Sequence, residues 1–365
     1  MNRRDFLLTS GAASAAAILR AAPLPDAMPS ASVPPASMPS AGRMKVGCQR
    51  WGSDPKHLGF LLRFGVRNIC ASPARSGPDG VWSVESLRDA TKAVEDAGLH
   101  VDAMYWNVTT DVLIPDRRDA AIDRNRRQIE AAGKAGIPLL LYNLHVRTWR
   151  ARTAPTTGRG GSTYGAWDLA QAELQKGKPN IGPIDADEMW ARITYFLQKV
   201  VPVATESKVW LGCHPPDPPV PADNSWKIAQ VLDTVEGLKK FVSICPSDYH
   251  GLNFCQGTIA EMLRQPAADI FDAIRWFGQR RKIFNVHFRN IRGRRDKFEE
   301  TYHDEGDIDM AKAVLAYKDV GYEGLLMPDH VPHHGDDPDE LQHFAWAYGY
   351  IAGLIQGAYA IPAGR

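Results

Sequence analysis

The chain has 365 residues, of which 44% are hydrophobic and 23% are charged, and its formal net charge at pH 7 is +1. These proportions are typical of a folded globular protein and exclude a disordered or fibrous chain. A net charge so close to zero does not indicate the basic surface that binds nucleic acid, so the composition favours small-molecule partners.

The first 22 residues have the layout of a signal peptide. A basic start at Arg3 and Arg4 precedes an apolar run at residues 6–8 and small residues at 11–19, the order that secretory signals show. The paired arginines resemble a twin-arginine signal, so we expect export to the periplasm. An uncleaved anchor is the alternative, but no later stretch of about 20 apolar residues could span a bilayer.

Residues 23–43 form a predicted tether between this signal and the folded part of the chain. Pro, Ser, Ala and Met dominate the segment, and its apolar residues have no period. Such a composition is typical of disordered linkers. We therefore expect one catalytic domain over residues 44–365.

Short apolar or β-rich segments alternate with helical segments along this domain. The predicted strands are residues 44–48, 68–72, 100–106, 138–145, 208–214, 241–245, 283–290 and 324–329. The predicted helices include residues 84–97, 117–135, 187–206, 259–265 and 307–320, where apolar residues recur at helical spacing. This alternation indicates an α/β fold with a parallel sheet.

Eight such units predict closure into a (β/α)8 TIM barrel, because closure pairs both edges of the sheet. An open doubly wound sheet is the alternative, but no GxGxxG turn follows the first strand. In a barrel, catalytic residues come from the carboxyl ends of the strands and from the loops after them.

Polar side chains gather at these predicted strand ends. They are Arg50 after the first strand, Asn143 in the fourth, His214 at the end of the fifth, Cys255 on a loop after the sixth, His287, Arg289 and Asn290 in the seventh, and Asp329 and His330 at the eighth. Imidazole, thiolate and carboxylate groups from four strands suit a site for Mn²⁺, Fe²⁺ or Zn²⁺. Each residue alone could instead be a buried core residue or a helix cap, but their joint occurrence favours a metal site.

The sequence around these positions resembles the mannonate dehydratase family. The similar segments are GCQRWG from Gly47, YNLH from Tyr142, WRART from Trp149, HPPDPP from His214, NFCQGT around Cys255, VHFRNI around His287, FEETYHDEGDIDM from Phe298 and MPDH ending in His330. They occur in the family's order and spread the resemblance over most of residues 44–350.

This resemblance implies a xylose-isomerase-like barrel that binds one Mn²⁺ or Fe²⁺ through His214, Cys255, His287 and Asp329. It also implies a lyase that removes water from a sugar acid to give a 2-keto-3-deoxy acid. Such a reaction takes a weakly acidic proton from the carbon beside the carboxylate, so it needs a stabilising cation and proton-transfer groups. His330 is the predicted proton-transfer residue.

Five further residues are predicted to contact the substrate. The guanidinium group of Arg289 can form two parallel hydrogen bonds to a carboxylate. A structural salt bridge is the alternative role of this residue. Asn290 follows it, and Arg50 and Asn143 are candidates for hydrogen bonds to hydroxyl groups. His303 resembles a family position, with a solvated loop histidine as the alternative.

The chain departs from the family pattern around the predicted substrate pocket. Where the family has HPDDPP, Pro216 replaces the first acid and Asp217 keeps the second. Met327 replaces an arginine before PDH, and Val331 and Pro332 replace a Gly-His continuation. We expect the metal site to persist, whereas these changes leave the identity of the sugar acid or related polyol open.

Two other functions are compatible with these residues. A sugar isomerase or epimerase of the same barrel class would share the metal but return the proton to carbon. An exported carbohydrate-binding barrel without catalysis would account for the replacements at residues 216, 327 and 331. Cys255 favours the lyase, because the sugar isomerases are rich in carboxylate ligands.

Overall fold

A computed structural model describes most of the predicted catalytic domain. The described residues are 42–50, 54–72, 76–144, 146, 152–174, 181–220, 224–225 and 227–360. The predicted signal peptide and nearly all of the predicted tether lie outside them. No helix in the described ranges is long and apolar enough to cross a bilayer.

Eight parallel strands close into a barrel, which confirms the predicted (β/α)8 fold. They are β1 (Lys45–Cys48), β2 (Asn68–Ala71), β3 (His100–Tyr105), β4 (Leu139–Asn143), β5 (Trp210–His214), β6 (His250–Cys255), β7 (Ile283–His287) and β8 (Leu325–Met327). Each strand pairs with its neighbours in sequence, and β1 pairs with β8 to complete the closure.

Ten α-helices are described outside the barrel strands. They are α1 (Pro55–Arg63), α2 (Val84–Asp96), α3 (Pro115–Ala135), α4 (Leu169–Leu174), α5 (Ala186–Ser207), α6 (Val235–Ser243), α7 (Gln256–Met262), α8 (Pro266–Gln279), α9 (Met310–Asp319) and α10 (Leu341–Ala360). Capping side chains begin several of them, since Ser83, Asp185 and Asp309 each accept a hydrogen bond from a first-turn N–H. The last helix, α10, packs against α9 and β1.

The sixth strand is not where the sequence predicts it, and that prediction is wrong. Residues 241–245 lie at the end of α6 and just beyond it. Thr234 caps this helix, whose buried residues recur at helical spacing, so the segment buries one face as a helix. The true strand is β6, where the buried amide of Asn253 interrupts the apolar pattern. Cys255 therefore ends a strand and does not lie on a loop.

The side chains at the carboxyl ends of several strands point into the barrel lumen. The rings of His214 and His287 have centroids 4.9 Å apart, although β6 separates their strands. Side chains of non-adjacent strands meet only inside a barrel, so both rings face the lumen. Gly212 faces it as well, because alternate residues of a strand share a face, and so does Cys255, which is the register partner of His287. A Cβ at Gly212 would press against Leu141, so the glycine leaves room there.

Two insertions build a rim at the carboxyl end of the barrel. The first, after β4, contributes Ala166–Asp168, and the second, after β7, contributes Ile291–Arg294 and Lys297–Glu300, which together form an antiparallel sheet. A bridge between Thr163 and His333 joins the first insertion to the loop after β8. The rim thus brings residues distant in sequence to the mouth of the barrel.

Candidate metal and catalytic site

Three of the four predicted metal ligands meet at the carboxyl end of the barrel. His214 ends β5, Cys255 ends β6 and His287 ends β7, and one ligand atom from each lies within 4.8 Å of the other two. Among the described residues, no other group of His, Cys, Asp or Glu side chains is spaced in this way. Two imidazoles and a thiol on consecutive strands fit a divalent cation of intermediate softness.

The fourth predicted ligand, Asp329, lies at the edge of this cluster. Its Oδ2 is 3.8 Å from Sγ of Cys255 and 3.5 Å from Nδ1 of His287, although it is not within 4.8 Å of all three ligand atoms. The residue is buried, and its Oδ1 has no hydrogen-bond partner. A buried carboxylate oxygen without a donor fits a cation.

Hydrogen bonds fix the orientation of both candidate histidine ligands. Nδ1 of His214 donates to the carbonyl of Pro215 at 2.6 Å, which leaves Nε2 with a free lone pair. At His287, Nε2 lies 3.1 Å from the side-chain amide nitrogen of Asn253, which can only donate, and Nδ1 is buried without a hydrogen-bond partner among the described residues. Outer contacts of this kind set the tautomer of metal-binding histidines.

Burial and charge set the protonation of the cluster. Burial raises the pKa of the Cys255 thiol and lowers the pKa of His214. Burial also opposes ionisation of Asp329, but the positive charges of Arg289 and His330, together with the contact with His287, outweigh it and hold the pKa of that carboxyl well below its usual range. Asp329 is therefore an anion at neutral pH, whereas Cys255 would release its proton on binding a cation.

Arg289 lies next to the cluster and is almost fully buried. Its Nη2 donates to Asp217 at 2.8 Å and to Glu261 at 3.2 Å, and its Nη1 donates to Glu300 and lies 3.6 Å from Asp329. These contacts are the structural salt bridges that the sequence analysis gave as the alternative role of Arg289. A contact between Arg289 and the substrate stays a prediction.

Four residues in this charged network were not predicted as site residues. Arg152 donates to Asp217 at 2.8 Å and also to Glu300, and Glu261 is wholly buried beside Arg289. Burial, together with the charge of Asp217, holds the pKa of Glu261 well above its usual range. The resembling segments WRART, HPPDPP and FEETYH contain three of the four, but the sequence does not reveal which groups become partners.

The predicted proton-transfer residue, His330, lies at the mouth with its side chain 45% exposed. Its Nδ1 is 2.7 Å from Oε1 of Glu300 and 2.7 Å from Nη1 of Arg289. Burial opposes protonation, but the carboxylates of Glu300 and Asp329 outweigh it and raise the pKa of His330. We infer that Nδ1 donates to Glu300. Within the described residues, Nε2 forms no hydrogen bond.

Asn290 has a different role from the predicted substrate contact. Its amide donates to the carbonyls of His303 and Ile308 at 2.8 and 2.9 Å, and accepts from the N–H groups of Ile291 and Ile308 at 3.0 Å each. Both amide hydrogens and both lone pairs are therefore used. The residue holds the rim hairpin to the loop that follows it.

His303 is buried, which excludes the alternative of a solvated loop histidine. Its ring lies among Phe288, Trp346 and Tyr350, with centroids 6.1 to 6.4 Å away, and neither ring nitrogen has a hydrogen-bond partner. Burial lowers the pKa of His303 to about 4. The imidazole is therefore neutral at pH 7, and its contact with substrate stays a prediction.

The two remaining predicted residues lie at β1 and β4, the strands that flank those of the candidate ligands. Arg50 pairs with Glu340 and stacks on Phe344, with its guanidinium carbon 5.4 Å from the ring centroid. Asn143 is exposed at the end of β4, directly beside His214 in the register of the sheet. His145 and Trp149, from two of the resembling segments, fall outside the described residues.

Comparisons with known proteins extend over this whole barrel. A sequence model of the family described as D-mannonate dehydratase (UxuA) matches residues 44–361. A mannonate dehydratase of Enterococcus faecalis is 28% identical over 344 residues, which cover 81% of this chain and 92% of that protein.

Solved structures with the same fold include a second mannonate dehydratase. The crystal structure of mannonate dehydratase from Streptococcus suis matches with a TM-score of 0.76 and 25% identity, covering 88% of this chain and 95% of that one. A xylose isomerase domain protein from Planctomyces limnophilus has 12% identity and a TM-score of 0.57, covering 88% and 100% of the two chains. The second match shows the fold alone and agrees with a xylose-isomerase-like barrel.

Proposed function

The chain belongs to the D-mannonate dehydratase family, and from that premise we propose that it is a metal-dependent lyase that converts a sugar acid into a 2-keto-3-deoxy acid. The observation that carries the proposal is the convergence of His214, Cys255 and His287 at the barrel mouth, with Asp329 beside them. The substrate class is an open-chain aldonate such as mannonate.

These four residues would hold one divalent cation, and Mn²⁺ or Fe²⁺ suits their mixture of nitrogen, sulfur and oxygen donors. The buried Oδ1 of Asp329, which has no hydrogen-bond partner among the described residues, supports this fit. When bound, the cation neutralises the substrate carboxylate and stabilises the negative charge that develops as the C2 proton leaves.

We assign proton transfer to His330. The elimination removes a proton from C2 and delivers one to the departing 3-hydroxyl, so that water leaves and the resulting enol becomes the keto acid. Because Glu300 holds Nδ1 at 2.7 Å, the imidazole has a fixed orientation, with Nε2 left to exchange a proton. The buried ion pairs of Arg152 and Arg289 hold Glu300 in place.

The test is the metal content of purified protein, measured by elemental analysis for wild type, Cys255→Ala and Cys213→Ala. Cys213 is the matched control, because it is buried on β5 next to His214 but faces the opposite side of the strand. We expect near-stoichiometric metal in wild type and the control, and loss of metal in Cys255→Ala. Wild type that takes up no divalent metal on reconstitution would overturn the proposal.

A keto-acid assay on a panel of aldonates then separates the reaction classes. A dehydratase produces a 2-keto-3-deoxy acid only when metal is present. An isomer or epimer formed without loss of water would instead indicate a sugar isomerase. Tight binding without any turnover would indicate a carbohydrate-binding barrel.

We also propose export by the twin-arginine route, which the paired Arg3 and Arg4 of the basic N-terminus support. Cell fractionation of the full chain tests it, with wild type expected in the periplasm. Arg3→Lys combined with Arg4→Lys keeps the charge but removes the pair, so this variant is expected in the cytoplasm. Equal distribution of the two proteins would contradict the proposal.

A further inference from the structure

A hydroxyl and an amide meet at the barrel mouth on the strands that do not carry the candidate metal ligands. Tyr105 is the last residue of β3, and Gln49 directly follows β1. The phenolic hydroxyl of Tyr105 donates to Oε1 of Gln49 at 2.9 Å. Because β2 lies between these two strands, the contact places both side chains on the lumen side of the barrel.

This pair faces the candidate ligands across the lumen. The ligands follow one another on β5 to β8, whereas β3 lies opposite β7 in the closed order of eight strands. Burial is the main cause of the raised pKa of Tyr105, and Cys70 and Asp329 contribute to it.

Tyr105 and Gln49 each keep one hydrogen-bonding group that their mutual contact does not use. The hydroxyl hydrogen of Tyr105 is used by Gln49, which leaves the phenolic oxygen to accept a hydrogen bond. Within the described residues, Nε2 of Gln49 has no hydrogen-bond partner, so it is left to donate. Both residues are half-buried.

The chemistry of this pair suits a sugar hydroxyl better than a charged group. An alcohol both donates and accepts, which matches one free acceptor beside one free donor. With its raised pKa, Tyr105 is uncharged at neutral pH, so it offers a neutral hydrogen bond and does not act as a base.

We propose that Tyr105 and Gln49 bind a hydroxyl of the substrate's polyol chain. The sugar acid then lies across the mouth, with its carboxylate at the ligands on β5 to β8 and its hydroxyl-bearing carbons toward β1 and β3. This inference rests on the proposed function and adds the residues that orient the substrate.

Calorimetric binding of a six-carbon aldonate to the metal-loaded full chain tests the contact. Tyr105→Phe removes only the hydroxyl, so we expect about a tenfold rise in Kd, the size of one neutral hydrogen bond. Metal content should equal that of wild type. Gln49→Leu should give a similar rise, and the double variant should not multiply the two effects, because both residues serve one hydroxyl.

Tyr142→Phe is the matched control. It makes the same change on the neighbouring strand β4, but the Tyr142 ring packs against Trp106 and Phe196 in the core, away from the lumen. We expect its Kd to equal that of wild type.

Three results would overturn the inference. If wild type binds and dehydrates the aldonate but Kd is unchanged in Tyr105→Phe, the inferred contact is contradicted. The proposed function is not contradicted by that result. Loss of metal in Tyr105→Phe would make the residue a support of the metal site. Metal-loaded wild type that binds no sugar acid would remove the proposed function and this inference together.

Discussion

Two polar atoms in the candidate site, Nδ1 of His287 and Oδ1 of Asp329, are buried and have no hydrogen-bond partner in the part of the chain that the structure describes. An unpaired buried polar group costs about 1 to 3 kcal/mol of stability. Such atoms persist in folded proteins where a ligand or ion completes them. Their position beside Cys255 therefore supports the proposed cation site.

His330→Gln should lower kcat by about 10²- to 10⁴-fold, the usual contribution of a positioned proton-transfer group. The amide keeps a polar group near Glu300 but does not exchange a proton at neutral pH. Steady-state kinetics on the metal-loaded protein measure the effect, with metal content expected at the wild-type level. His334→Gln, in the nearby loop, is the control and should keep full activity.

The stability of the protein should fall between pH 6.5 and about 4 because of His250. This residue is wholly buried at the start of β6, and burial lowers its pKa to about 4. The unfolded chain, with an ordinary histidine pKa of about 6.5, binds the proton first. The contribution, about 3 kcal/mol, is therefore present above pH 6.5 and lost as the pH falls through 4.

Unfolding by denaturant at a series of pH values measures this effect. The free energy of unfolding should change less with pH in His250→Gln than in wild type, whatever the absolute stability of the variant. Parallel curves for the two proteins would show that His250 does not titrate in this range.

At the scale of elements, the rim hairpin after β7 decides how the charged network is assembled. It carries Glu300, which pairs with His330, Arg152 and Arg289. The four hydrogen bonds of Asn290 hold the hairpin to the loop at residues 303–308. The hairpin is thus a support for His330, the proposed proton-transfer residue.

Asn290→Ala should destabilise the protein by about 3 kcal/mol or more, because buried backbone groups lose their partners. We also expect kcat to fall, since Glu300 would no longer be held against His330. Thermal unfolding and kinetics measure the two effects. Asn143→Ala is the same change at an exposed strand end and should leave the melting temperature nearly unchanged. Equal melting temperatures for both variants would contradict this role.

Particular elements show why sequence predicted some strands and missed another. Strand β5 is an apolar run that ends in His214, so both its existence and its end can be read from the pattern. Strand β6 contains His250, Gly251 and Asn253, which break the apolar run: His250 contacts Phe241 of α6, whereas Asn253 lies on the same face of the strand as Cys255. The neighbouring α6 contains a short β-rich segment, and the sequence pattern therefore predicts the sixth strand at residues 241–245.

The candidate ligands were predictable for a different reason from the charged network. Ligand types at strand ends, together with the resemblance, identify His214 and Cys255 without knowledge of their distance. The partners of Arg289 depend on how the rim folds over the barrel, since Glu300 and Asp217 come from separate loops. No local pattern in the sequence carries that information.

At the scale of the whole molecule, binding of the cation should stabilise the fold. A ligand that binds only the folded state adds about 2.7 kcal/mol when its free concentration is 100 times Kd. Melting curves with added Mn²⁺ and with a chelator should therefore differ for wild type. The difference should disappear in Cys255→Ala and persist in Cys213→Ala. Identical curves for wild type in both conditions would contradict a metal site.

The order of the strands has a consequence for synthesis. All four candidate ligands come after residue 213, on consecutive strands, whereas β1, which closes the barrel against β8, is made first. A growing chain cannot complete the ligand set until Asp329 has left the ribosome, at the same late stage at which β8 becomes able to reach β1. Only a polypeptide that has been translated through its last barrel strand could therefore bind the cation with all four ligands.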